Sequence, residues 1–143
     1  MVIKTILIFL IALLGYSEWL TGTSYLQRPI VLGPLVGLVM GDVVTGTIMG
    51  ATMELAMVGA ISVGAYNPPD TISGTILGVS LAMQAGADAS AALTLGIPIA
   101  TIVLALDTAL GQPVMLLLVH RIDKNVEDGD TKDITRNMLI AGY

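Results

Sequence analysis

The chain has 143 residues, 55% hydrophobic and 12% charged, with a mean hydropathy of +0.86 and a net charge of −5. Soluble domains carry about 25% charged residues, so the composition reads as a membrane protein and excludes an ordinary soluble enzyme. Few aromatics and no basic patch exclude a nucleic-acid binder, and the absence of cysteine excludes disulfides and thiolate metal sites.

Residues 1–14 are apolar apart from Lys4 and Thr5 and read as a first membrane helix. A secretory signal with Lys4 as its charged end is the alternative; no small-x-small cleavage site follows, and the hydrophobic character continues far beyond. Tyr16 and Trp19 then mark an interface, with Glu18 near the surface. The polar run TGTSYLQR, residues 21–28, is turn-like. Pro29 suits the first position of a helix, where no N–H is needed. Arg28 is expected to anchor at a headgroup, and Gln27 to do the same or to reach inward.

Ile30 to Tyr66 is apolar or small apart from Asp42 and Glu54. One straight helix of that length would run about 55 Å, against a hydrocarbon core of about 30 Å. The run must therefore be divided, and Gly41-Asp42 is the place, with Asp42 capping a helix that starts near Val43. On that helix Gly46, Gly50 and Glu54 are spaced by four and share a face. Two residues without side chains lead up to one acid, which leaves room for a neighbouring backbone or a small solute. Met53 and Met57 flank the acid with adaptable packing. Gly33, Gly37 and Gly41 repeat the four-residue glycine spacing, as do Gly74 and Gly78, and small residues let helix backbones approach closely.

An ionised group at the bilayer centre costs roughly 2.5–3.5 kcal/mol on insertion scales, so Glu54 must face a cavity, a partner or a solute path. The bland alternative is that it bonds a neighbouring helix and nothing else. Asn67-Pro68-Pro69-Asp70 breaks the backbone, because a residue before proline avoids the helical region. The helix is expected to end near Tyr66, and Asp70 to cap a segment from Thr71. Thr71 to Met83 would be only about 20 Å long, half of a hairpin or of a discontinuous helix. Residues 84–88, QAGAD, form another break. Ala89 to Leu106 reaches about 27 Å, enough to cross, with a kink at Pro98.

His120 to Asn137 is hydrophilic and holds four of the six basic residues, Arg121, Lys124, Lys132 and Arg136. By the count of Lys and Arg it belongs on the cytoplasmic side. His120 beside Arg121 reads as interfacial. Met138 opens a further apolar run that is too short to span, which reads as a truncation. The chain is thus expected to be a single membrane domain, 1–143, that is all-α and polytopic, with discontinuous or hairpin helices and glycine-rich packing. No catalytic constellation, metal site or cofactor motif is present.

The ordered run Leu26-Gln27-Arg28-Pro29 through Gly33-Pro34, Gly37, Gly41-Asp42, Thr45-Gly46, Gly50-Ala51-Thr52-Met53-Glu54-Leu55, Gly59-Ala60, Val63-Gly64-Ala65 and Pro68-Pro69-Asp70 resembles a known family. This family is the IIC membrane component of the mannose/fructose/sorbose class of the bacterial phosphoenolpyruvate-dependent sugar phosphotransferase system. The likeness covers most of residues 26–140, and the hydrophilic segment 120–137 resembles the family's central loop. Family members are about twice this long, so the resemblance is to the N-terminal half.

The resemblance implies a translocation path formed with a IID subunit in an oligomer in the bacterial inner membrane. It also implies a sugar-bearing core that moves against a scaffold. The sugar is phosphorylated on entry by a cytoplasmic IIB domain charged by IIA, so no catalysis is expected on this chain. A hexose or amino sugar needs paired acceptors and donors in a largely apolar pocket. By position in the family motif, sugar binding falls on Glu54 and Asp70, and on Asn67; Gln27 and Asp42 match family positions but read as structural first. Two rival readings remain: an ion-translocating rotor or channel subunit with Glu54 as carrier carboxylate, and a passive assembly module.

Overall fold

In a computed structural model the described residues are 2–17, 22, 24–64, 66–127 and 135–136. The regular elements are all helical: α1, Val2–Tyr16; α2, Pro29–Met40; α3, Val43–Met57; α4, Thr71–Gln84; α5, Ala89–Leu106; a π-helical turn, Asp107–Gly111; and α6, Gln112–Glu127. The chain divides into two compact units, residues 1–104 and 105–143.

The division expected at Gly41-Asp42 is where α2 ends. Gly41 adopts φ +102°, a conformation that costs an L side chain about 1–2 kcal/mol per residue, and its N–H returns to the Gly37 carbonyl at 2.8 Å. Asp42 caps α3 by accepting the Thr45 N–H at 3.0 Å. α2 and α3 then fold back on each other along their glycines. A Cβ added to Gly33 would lie 2.5 Å from the Gly50 Cα, and one added to Gly46 would lie 2.5 Å from the Gly37 Cα. The glycine face leading to Glu54 is therefore filled by a neighbouring backbone.

α4 and α5 repeat the design. Gly86 (φ +64°) and Asp88 make the turn, and Asp88 caps α5 through the Ala91 N–H at 3.1 Å. A Cβ on Gly78 would meet the Gly96 Cα at 2.8 Å, and one on Gly74 the Gly96 carbonyl oxygen at 2.8 Å. α5 runs through Pro98 as one helix.

The two hairpins stand side by side through α2 and α4, with α1 laid across both. Gly15, near the end of α1, faces Leu32 and Ile72, close to the starts of α2 and α4. At the other end of α1, the Lys4 ammonium donates to the carbonyl of Met40, the last residue of α2, at 3.1 Å. Both hairpin bases therefore lie at the Tyr16 end and both tips at the Lys4 end. Leu32, Val36, Met49, Met53, Ile76, Val79 and Ala92 form the buried core.

The structure corrects one boundary: α3 ends at Met57, not near Tyr66. The Ala60 N–H turns back to the Met57 carbonyl at 2.9 Å beside Gly59, and Gly64 at φ +63° bends the chain again. The prolines at 68–69 thus act on a chain that has already left the helix. The expected interfacial Glu18 and Trp19 lie outside the described residues. Of the hydrophilic stretch 120–137, residues up to Glu127 extend α6.

In the second unit, Gly111 makes room for the Asp107 carboxylate, whose Oδ1 lies 2.8 Å from where a Cβ would stand. Residues 89–123 form a helical stretch long and apolar enough to cross a bilayer. The other apolar helices, of 12–15 residues, fall short of the roughly 17–25 needed to span upright.

Candidate functional site

One group of polar side chains in the first unit, Tyr16, Arg28, Glu54, Asp70 and Ser73, lies at the hairpin bases. α2 begins Arg28-Pro29-Ile30, and Arg28 stands at the N-cap, where its side chain makes no cap hydrogen bond. Proline has no N–H, so the first backbone donor to satisfy belongs to Ile30. Glu54 reaches it from α3 and accepts the Ile30 N–H on Oε2 at 3.3 Å. Its other oxygen is ion-paired with the Arg28 guanidinium. This corrects the expectation that Arg28 anchors at a headgroup: a carboxylate one helix away holds it instead. The Glu54 side chain is 17% exposed and that of Arg28 38%.

On the second hairpin, Asp70 caps α4 as its position suggested. It accepts the Ile72 and Ser73 N–H groups at 3.2 and 3.3 Å, while its own N–H donates to the Ala100 carbonyl at 3.2 Å and closes the hairpin base. The Tyr16 hydroxyl adds a hydrogen bond to the Asp70 carboxylate and lies 2.6 Å from the Ser73 hydroxyl. Sequence reasoning missed both Tyr16 and Ser73. Tyr16 was legible only as an interfacial aromatic, and the contact spans 54 residues of sequence.

Glu54 and Asp70 are therefore brought to one end of the unit, on adjacent hairpins. Asn67 is exposed in the connection between them, and Gln27 is half-buried in the turn before α2. Asp42 is not part of this layer. It caps α3 at the hairpin tip, twelve residues and about 18 Å of helix from Glu54. The layer thus offers two carboxylates, a guanidinium and two hydroxyls, an array that can donate to and accept from a polyhydroxylated solute. Among the described residues no cluster of three or more His, Cys, Asp or Glu is placed to hold a metal.

The model of the PTS system sorbose-specific IIC component family matches residues 2–143. The chain belongs to this family. It is 31% identical over 134 residues to N-acetylgalactosamine permease IIC component 1 of Escherichia coli K12, covering 89% of this chain and 47% of that one. It is 30% identical over 132 residues to the fructose permease IIC component of Bacillus subtilis 168, covering 92% and 49%. Among solved structures, the cryo-EM structure of the mannose transporter ManYZ with microcin E492 superposes with a TM-score of 0.83 at 26% identity, over 99% of this chain and 57% of that one. The chain spans about half the length of these relatives.

Membership in a family of sugar permease components decides against the rotor reading.

Proposed function

We propose that this chain supplies about half of the translocation subunit, IIC, of a sugar phosphotransferase system. It binds a hexose or amino sugar and carries it across the bacterial cytoplasmic membrane, which it crosses more than once. A IID subunit completes the path in an oligomer, and a IIB domain charged by IIA phosphorylates the sugar on the cytoplasmic side, where the segment 120–137 lies. The chain contributes binding and movement, and the phosphoryl chemistry resides on its partners.

What supports this reading is that Glu54 and Asp70 stand at the same end of the first unit, each at the base of one of two neighbouring hairpins. Sugar hydroxyls need convergent acceptors and donors with apolar walls. Carboxylates already fixed by backbone N–H groups supply acceptors that need not be ordered on binding. Asn67, between the hairpins, adds one group able both to donate and to accept.

Equilibrium binding of a radiolabelled panel of hexoses and amino sugars, to membranes containing the assembled IIC–IID complex, tests the proposal. Saturable binding of one sugar, lost in Glu54→Gln and weakened in Asp70→Asn, is the expected result. Unchanged affinity in both variants at normal expression would overturn the site.

A further inference from the structure

We infer that Arg28 is the donor half of the sugar site. Its guanidinium and the Glu54 carboxylate together hold two neighbouring hydroxyls of an uncharged hexose, the first donating and the second accepting. The inference rests on the reading of Glu54 as a sugar-binding residue and names the group that completes it.

Arg28 occupies a position where the helix has no use for it. Ser, Thr, Asp and Asn are preferred at an N-cap because a side-chain oxygen can accept a free N–H there. Arginine has no acceptor, and a cation at a helix N-terminus opposes the macrodipole. Arg28 makes no cap hydrogen bond, and the capping falls to Glu54. A local choice that disfavours its own helix, yet is rigidly framed, marks a group retained for another task. The frame is firm: Arg28 precedes Pro29, which is buried and restricts Arg28 to the extended backbone observed, φ −69° and ψ 138°.

The pair has the geometry of a half-made site. The carboxylate is held from two sides, by Arg28 on Oε1 and by the Ile30 N–H on Oε2. Each carboxylate oxygen can accept a further bond, for about four acceptor sites in all. The guanidinium carries five N–H donors, and only Nη2 is engaged among the described residues. Glu54 is mostly covered while Arg28 stays more than one-third exposed, so the pair opens outward on its donor side. The two charges sum to zero. Such a pair suits an uncharged polyol, since a phosphate ester would gain from the arginine but be repelled by the glutamate.

The test is a competition experiment on the assembled transporter in membranes, with monodeoxy analogues of the sugar it binds. In the unaltered protein, removing a hydroxyl held by a charged group costs roughly tenfold or more in affinity. In Arg28→Lys, which keeps the charge but loses the planar fork, one analogue should cease to be penalised while the penalties at the other positions persist. Arg28→Gln should do the same and weaken the parent sugar further. If Arg28 only braces Glu54, either the profile keeps its shape or the one analogue that loses its penalty is the same analogue that loses it in Glu54→Gln, and either result overturns the inference. Should Arg28→Gln fail to assemble, Arg28→Lys alone decides. Glu54→Gln and Asp70→Asn run in parallel: if neither alters binding, the site itself is wrong, whereas if they weaken binding and the Arg28→Lys profile is unchanged, only the role of Arg28 falls.

Discussion

Glu54 accepts the backbone N–H of Ile30 at 3.3 Å, so a carboxylate near the end of α3 caps α2, the helix beside it. The same side chain neutralises Arg28. Truncation by Glu54→Ala removes both interactions and leaves a cation at a helix N-terminus. The expected loss is about 1–3 kcal/mol, partly offset because Arg28 is open to solvent. Glu54→Gln keeps an acceptor for Ile30 and should lose about half as much. Thermal unfolding of the purified protein in detergent measures both, and equal midpoints for all three proteins would show that the cap contributes nothing.

The glycines divide into those that lack space and those that need a particular backbone. Gly33→Ala places a methyl 2.5 Å from the Gly50 Cα, against main chain that cannot swing aside. Overpacking of this kind typically costs about 1–3 kcal/mol. Gly41→Ala meets nothing within 4 Å, yet φ +102° penalises it by about 1–2 kcal/mol. Gly59→Ala meets neither obstacle and should stay within about 0.5 kcal/mol of the parent. Gly41→Asn separates the two mechanisms: asparagine tolerates the left-handed region, so it should recover stability at 41, whereas at 33 it should be worse than alanine.

Thr75 is fully buried on α4, and its hydroxyl has no hydrogen-bond partner among the described residues. Other helical threonines, Thr47, Thr52, Thr94 and Thr101, return their hydroxyls to the carbonyl four residues earlier. An unmade buried hydrogen bond costs about 1–3 kcal/mol. Thr75→Val, of nearly the same shape, should therefore raise the unfolding midpoint, by an amount near 1 kcal/mol. A lower midpoint would mean that the hydroxyl is satisfied by an ordered water in the folded protein.

Much of the fold was legible in the sequence, because it depends on residues with strong local consequences. Gly41-Asp42 and the 84–88 break combine a left-handed glycine with a capping acid, and both turns fall where expected. The start of α3 and the limits of α5 followed from the same signals. The end of α3 did not. The aliphatic run 58–64 looks helical by hydropathy, while Gly59 and Gly64 set the turns from within it. In the site, Asp70 was readable as a cap because it bonds its own helix. The partners of Glu54 were not, because Arg28 and Ile30 are 26 and 24 residues away, and only the glycine-to-glycine register of α2 and α3 brings them into reach. Tyr16 was out of reach for the same reason.

Main chain lying directly on main chain has a mechanical consequence. At the glycine contacts of α2 with α3, and of Gly78 with Gly96, backbone lies against backbone, so these lines of contact cannot flex by reshuffling side chains. Each is a stiff plank whose two helices must travel together. Give within the first unit is expected at the seam between planks, where Leu32, Val36, Ile76, Val79 and the pliant Met53 can slide and repack. Glu54 with Arg28 rides on one plank and Asp70 on the other. The separation of the two acids is thereby set by how the seam is seated, and a solute bridging them would feel every shift of it.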